Sequence, residues 1–342
     1  MSAQPEAMGM TSDHPLAAFG LDTVARGAAR LRAERVAMLE AGEDCVATPV
    51  AYGEFDRLTL AFRAQARACG LVAGERVLIV GAQRIGVAAA ILGAIGAGLE
   101  PVIAPMHPSP AALAFLAQST GAAAVIGPTR FGAYDAAHVM LEIAAAAPGV
   151  RLLCSLGPDA CDGAVDFSPA ALRDTGEEIM PANRGAAPPR IGFALDMQSN
   201  TPRTIFVAQS EVVAIALDFA SRLRLNAERP IFSTLSPASL TGLACGPVAA
   251  LLIGAPLIWF GPFSARHFVD MLDKAGACHL VAPLDIAADL AEAGLFAPGR
   301  LESLSLSTRE KSVQAQELGA TCPLALLAAG GESGVSITLV NA

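Results

Sequence analysis

From residue 52 to residue 126 the chain alternates between helix-period segments and short uninterrupted apolar runs, and no other feature restricts its fold as much. Phe55, Leu58, Phe62, Ala66 and Cys69 recur at spacings of three and four, the repeat of a single helix face, and Gly70 follows where such a helix closes. Residues 77–80 are all Val, Leu or Ile, a run too short for a helix and suited to a strand buried on both faces. An alanine-rich helical pattern covers 84–97, a second strand 101–104, a helix 110–118 with Ser109 as its N-cap, and a third strand 123–126. Strand, helix and strand in this order predict a parallel sheet covered by helices, hence an α/β fold.

The rhythm resumes after a turn-rich stretch between Pro181 and Pro189. Strands are expected at 191–195 and 205–207 around a polar loop, followed by a helix over 210–223. A helix over 240–252 kinked at Pro247, a strand at 257–260, a helix over 265–274, a strand at 279–281 and a helix over 284–293 closed by Gly294 complete the reading. The expected organisation is a tail over 1–17, a first α/β lobe over 18–182, a linker over 183–190 and a second α/β lobe over 191–342.

Composition narrows the function classes. With 342 residues, 53% hydrophobic and 16% charged, the chain can bury substantial cores and is far too apolar for disorder. A net charge of -9 without a Lys/Arg cluster excludes a nucleic-acid partner, which needs a basic face. The cysteines form no C-x-x-C pair and read as buried thiols of a reducing cytoplasm, and the histidines lack H-x-x-x-H spacing, so no metal site is built from them. The first fifteen residues have no signal-peptide pattern. Of two uncharged stretches, 86–99 is too short to cross a bilayer and 231–265 is broken by Pro237, Pro247, Pro256 and Pro262, so no membrane span is expected.

Several motifs carry a more specific signal. Residues 52–58 (YGEFDRL) and 64–77 (AQARACGLVAGERV) place a helix, a glycine turn and a Gly-Glu-x-Val strand in succession. A Gly-rich helix end and proline-bounded crossover follow at 92–105, with Pro108 and Pro110 beyond, and downstream come Leu235-Ser236-Pro237 with Gly242, Gly254-Ala255-Pro256 and Val281-Ala282-Pro283. In order and spacing this set resembles the adenylate-forming superfamily of acyl-CoA synthetases, luciferases and adenylation domains, over roughly residues 45 to 335. The resemblance implies a layered two-lobe αβ sandwich similar to the N-terminal domain of acyl-CoA synthetases.

It also implies a site. Family members join a carboxylate to the α-phosphate of ATP, holding the triphosphate and Mg²⁺ with a loop that reads Thr-Ser-Gly-Thr-Thr-Gly-x-Pro-Lys-Gly. The corresponding residues 195–204 keep Ser199, Thr201, Pro202 and Arg203, with Met197, Asn200 and Thr204 in the places of glycines. Asn accepts left-handed backbone angles, whereas Met and Thr do so poorly, so weakened triphosphate binding is expected. A polar surface turn with a solvated arginine accounts for the same residues. By the same resemblance Ser199, Asn200, Thr201, Arg203, Gly330 and Glu332 are the candidate nucleotide contacts, with Glu332 also the candidate Mg²⁺ ligand or else a cap on an exposed turn. Ser236, Ser239, Leu240, Gly242, Val281 and Pro283 are the candidate lining of an acyl or aryl pocket.

No catalytic residue is assigned. The family's catalytic lysine lies in a small C-terminal domain, neither Lys274 nor Lys311 matches it, and the sequence given stops at Ala342, so an active ligase is expected to be completed in trans. The Walker-like spacing at 81–86 lacks the following Lys-Ser/Thr, and 331–334 falls one residue short of a G-x-S-x-G elbow. Three functions stay open: a divergent, adenylation-impaired protein that binds an acyl or aryl carboxylate or a pathway partner; a working ATP-dependent acid-CoA or acid-carrier-protein ligase; and a scaffold subunit that self-associates or packs on a partner.

Overall fold

A computed structural model describes residues 20–42, 48–157, 159, 161–173, 188–199, 201–308, 320–329 and 334–341. Helix α1 (Leu21–Arg32) leads into β1 (Val36–Ala41), β2 (Pro49–Ala51) and α2 (Tyr52–Ala68). The expected alternation follows as β3 (Arg76–Gly81), α3 (Ile85–Ala97), β4 (Glu100–Pro105), α4 (Pro110–Thr120) and β5 (Ala122–Gly127), and the Ser109 hydroxyl caps α4 by accepting from the Ala112 N–H at 3.2 Å. A small ribbon of β6 (Arg130–Phe131) and β7 (Tyr134–Asp135) precedes α5 (Ala136–Ala146), β8 (Leu152–Ser155), β9 (Val165–Asp166) and α6 (Pro169–Arg173).

The second half opens with a hairpin of β10 (Ile191–Leu195) and β11 (Arg203–Val207), then α7 (Gln209–Arg222) and β12 (Ile231–Ser233). Helices α8 (Leu240–Leu243) and α9 (Ala249–Ile253) join through a π-helical turn, Ala244–Val248. The kink expected at Pro247 takes this form: a residue without an N–H is accommodated by widening the helix. The chain continues through β13 (Leu257–Phe260), α10 (Ala265–Ala275), β14 (Cys278–Pro283), α11 (Ala287–Glu292), β15 (Leu301–Thr308), β16 (Leu324–Ala329) and β17 (Val335–Asn341). A 3₁₀ turn, Leu284–Ile286, occupies the start of the helix expected over 284–293.

The strands form two large sheets. One has the order β11-β10-β4-β3-β5-β8-β9 and is parallel except at the hairpin; the other has the order β17-β16-β15-β14-β12-β13-β1-β2 and is parallel except at its two ends. Sheet membership crosses between the two expected lobes, since β1 and β2 join the strands of the second half while β10 and β11 join those of the first; the expected tail over 1–17 and residues 183–187 of the expected linker lie outside the described residues. Helices α4 and α5 cover the outside of the first sheet, α1 to α3 and α7 to α9 fill the space between the sheets, and α10 and α11 cover the outside of the second. This is the layered αβ sandwich expected from the resemblance.

The central layer explains the apolar stretch at 86–99. Helix α3 is buried on nearly every side, and it approaches α2 so closely that a Cβ on Gly93 would lie 2.6 Å from the Phe62 ring. Among the described residues no helix is long and apolar enough to cross a membrane.

Candidate functional site

The carboxyl ends of β4, β10, β12, β15 and β16 converge on a cleft of 760 Å³, the place where layered α/β folds bind ligands. The chain after β4 contributes Pro105, His107 and Pro108, and the β10–β11 hairpin contributes residues 193–199 and Ile205. Ser236, Ala238, Ser239, Leu240 and Thr241 lie beyond β12, and Ser307, Thr308, Ala329 and Gly334 close the far side. The His107 ring meets the Tyr134 ring edge-on at 5.1 Å, so the β6–β7 ribbon supports the rim.

The hairpin wall follows from strand alternation. Phe193 opposes Ile205 and Leu195 opposes Arg203, so these four side chains belong to one face. At the tip Asp196 takes a left-handed backbone angle, φ 55°, and its carbonyl accepts from the Ser199 N–H at 2.8 Å, closing a tight turn. The Ser199 hydroxyl accepts from the Thr201 N–H at 3.1 Å. Arg203 donates through Nε to the Asp196 carboxylate at 2.9 Å; both side chains are more than half exposed, at 65% and 56%.

The opposite wall is tied into the core. The Ser236 hydroxyl donates to the Gly81 carbonyl at 3.2 Å, the Gln83 side-chain amide donates to the Thr234 carbonyl at 2.8 Å, and the buried Trp259 indole N–H donates to the Leu235 carbonyl at 2.9 Å. The first two bonds join the end of β3 in one sheet to the chain leaving β12 in the other, and the third ties that chain to β13 beside it. Ser239 caps α8, its hydroxyl accepting from the Gly242 N–H at 3.0 Å. A Cβ on Gly242 would stand 2.0 Å from the Ser236 carbonyl oxygen, so only glycine lets the turn close on the helix.

Of the residues singled out in the sequence, Ser199, Ser236, Ser239 and Leu240 line this one cleft. Arg203 shares the row of Phe193 and Ile205 but is not among the lining residues, and Thr201 is exposed beside it. Gly242 lies behind the wall, Val281 is fully buried in β14, and Pro283 ends that strand without lining the cleft. Asn200, Gly330 and Glu332 fall outside the described residues. His107, Asp196, Gln198, Thr241, Ser307 and Thr308 line the cleft without having been singled out as site residues; the rule that ligands bind at the carboxyl ends of parallel strands is the signal that could have found His107, Ser307 and Thr308.

Among the described residues no group of three or more His, Cys, Asp or Glu is arranged to hold a metal ion. Among the described residues the lining carries two ionisable side chains, His107 and Asp196, and neither a lysine nor an arginine. Beneath the cleft, His279 of β14 is buried against the Ser303 hydroxyl, Nδ1 to Oγ 2.9 Å. Burial pushes its imidazole down to about 4, with Glu302 opposing that shift and Arg229 adding to it.

No protein-family model matches the sequence, and no curated protein matches it. Solved structures do match in fold. MbtA from Mycobacterium smegmatis superposes with a TM-score of 0.76 at 23% identity, over 94% of this chain and 59% of its own. The acetoacetyl-CoA synthetase from Streptomyces lividans gives 0.76 at 17%, over 94% and 53%, and a protein assigned as a long-chain-fatty-acid CoA ligase from Rhodopseudomonas palustris gives 0.76 at 15%, over 94% and 78%. The chain therefore spans less than two thirds of the first two proteins. At these identities the likeness is one of fold: the fold of the N-terminal region of adenylate-forming synthetases.

Proposed function

We propose, on the premise of this shared fold, that the chain is a divergent acyl-CoA-synthetase-like protein that binds an acyl or aryl carboxylic acid and is impaired in adenylation. The observation that carries the reading is the character of the cleft lining. Phe193, Leu195, Met197, Ile205 and Leu240 offer an apolar surface, Thr241, Ser307 and Gln198 offer hydrogen-bond donors, and neither lysine nor arginine lines it among the described residues.

A triphosphate with its Mg²⁺ fits these residues poorly. Binding one needs backbone N–H groups and a cation aimed at the ligand, yet Arg203 is held by Asp196 and the N–H groups of Ser199 and Thr201 are engaged within the loop. Glu332, the residue proposed for the metal, lies outside the described residues. A small carboxylic acid or acyl group, delivered by or passed to a carrier or partner enzyme, suits the cleft better. The fully buried thiols of Cys154, Cys245 and Cys278 suit a reducing compartment such as the cytoplasm.

A second reading, an AMP-forming acid ligase, draws support from Arg203 itself, which keeps a cation on the cleft-side row of the hairpin. Isothermal calorimetry with ATP and Mg²⁺, and with a panel of aliphatic and aryl acids, separates the two. The acid-binding reading expects no heat up to millimolar ATP and saturable binding of at least one acid. Micromolar ATP binding that Arg203→Ala weakens by about tenfold, roughly 1.4 kcal/mol, overturns it in favour of the ligase.

A further inference from the structure

The hairpin face turned to the cleft has one member out of line. Phe193, Leu195 and Ile205 all line the cleft, while Arg203, directly opposite Leu195 on the same face, does not. Its guanidinium is drawn to Asp196, and Asp196 does line the cleft. The Asp196 backbone is fixed by its left-handed angle and by the hydrogen bond that its carbonyl accepts from the Ser199 N–H. Arg203 is the only basic residue in the loop 195–204, so the pair neutralises all the positive charge the loop has.

We propose that Asp196 is a specificity-determining residue of the cleft: by pairing with Arg203 it withdraws the loop's one cation from ligands and leaves the carboxylate end of the pair on the wall, so that the cleft rejects polyphosphates and accepts uncharged or singly charged ligands. The proposal rests on the acid-binding reading above and names the residue responsible for it. Both partners are solvated, so the pair adds little to folding stability. Its effect falls on the ligand instead. A polyphosphate that reaches Arg203 must lie beside the Asp196 charge, and the repulsion grows with the number of charges the ligand carries, whereas a monocarboxylate meets it once. Because the site is open to water, this discrimination weakens as salt is added.

The test is calorimetry at low salt with inorganic triphosphate and, separately, benzoate, on the wild type, Asp196→Asn, Asp196→Gly, and Asp196→Asn combined with Arg203→Ala. Asn has the size of Asp and accepts its left-handed angle, and Gly accepts that angle without strain, so at least one variant keeps the turn. The expected result is at least a tenfold gain for triphosphate in a single variant, a clearly smaller gain for benzoate, and loss of the triphosphate gain in the double variant. No gain in either single variant, from folded proteins, overturns the proposal and leaves the acid-binding reading standing. A gain that survives Arg203→Ala also overturns it, because the cation released was then not Arg203. Micromolar triphosphate binding by the wild type overturns both.

Discussion

The two walls of the cleft are built on different terms. At the hairpin tip Asp196, Gln198, Ser199, Thr201 and Arg203 are exposed, Met197 and Pro202 alone turn inward, and the polar contacts of the described residues stay within the tip: the Asp196–Ser199 turn, the Ser199–Thr201 hydrogen bond and the Asp196–Arg203 ion pair. The Ser236–Gly242 wall is fastened to both sheets, by Ser236 to Gly81, by Gln83 to Thr234, and by the fully buried Trp259 to Leu235. A wall of the first kind can change its chemistry with little effect on folding, and a wall of the second kind cannot. The difference explains how a layered fold can be shared with solved synthetases at 15–23% identity while the exposed loop 195–204 carries a sequence of its own, without a glycine.

The contrast can be broken by mutation, beginning with the wall fastened to the core. Gly242→Val is expected to have the largest effect, a loss of about 3 kcal/mol or more in urea unfolding, because the new side chain meets a backbone carbonyl that cannot move alone. A loss under 1 kcal/mol would show that the wall yields as easily as the hairpin.

Acid tests the sheet beneath that wall. His279 is held at about 4, below its ordinary 6.5, so the unfolded chain takes up a proton in a range where the fold does not. Its contribution to stability is complete above about pH 6.5 and declines as the pH falls toward 4. Between pH 7 and pH 5 the decline is about 2 kcal/mol, measured by denaturant titration, and it should shrink in His279→Gln. A pH-independent wild type would mean that His279 is hydrated.

Ser236→Ala sharpens the comparison on a finer scale. It removes one donor to Gly81 and one acceptor for the Ala238 N–H, and about 1 kcal/mol should be lost. Arg203→Ala should have the smallest effect, within about 0.5 kcal/mol, since its ion pair is solvated. A loss above 1 kcal/mol would show that the hairpin tip, too, is part of the folded core.

How far the sequence could be read tracks how locally each element is determined. Strands β3 to β5 were legible because residues buried on both faces produce unbroken runs such as 77–80. Strand β15 was not, although Ser303, Ser305 and Ser307 alternate with Leu304 and Leu306; the buried hydroxyls of Ser303 and Ser305, with Ser307 at the cleft, disguise a buried strand as a polar segment. Strands β1 and β2 escaped notice because their place depends on β13, far away in the chain. In the site, the hairpin loop and Ser236 to Leu240 were found because each forms a contiguous motif. His107, Ser307 and Thr308 come singly from the ends of different strands, and Val281 was grouped with the pocket by its motif although its side chain packs into the sheet.

The crossed membership of the sheets also sets an order of events during synthesis. Met38 pairs with Leu257, so β1 leaves the ribosome about 220 residues before the neighbour that completes its parallel edge. At translation speeds of roughly 5–20 residues per second, that edge waits some 10 to 40 s for its partner. During this interval β1, paired with β2 on its other side, keeps one edge open to any other chain with an unpaired edge, a hazard that ends only when β13 is made.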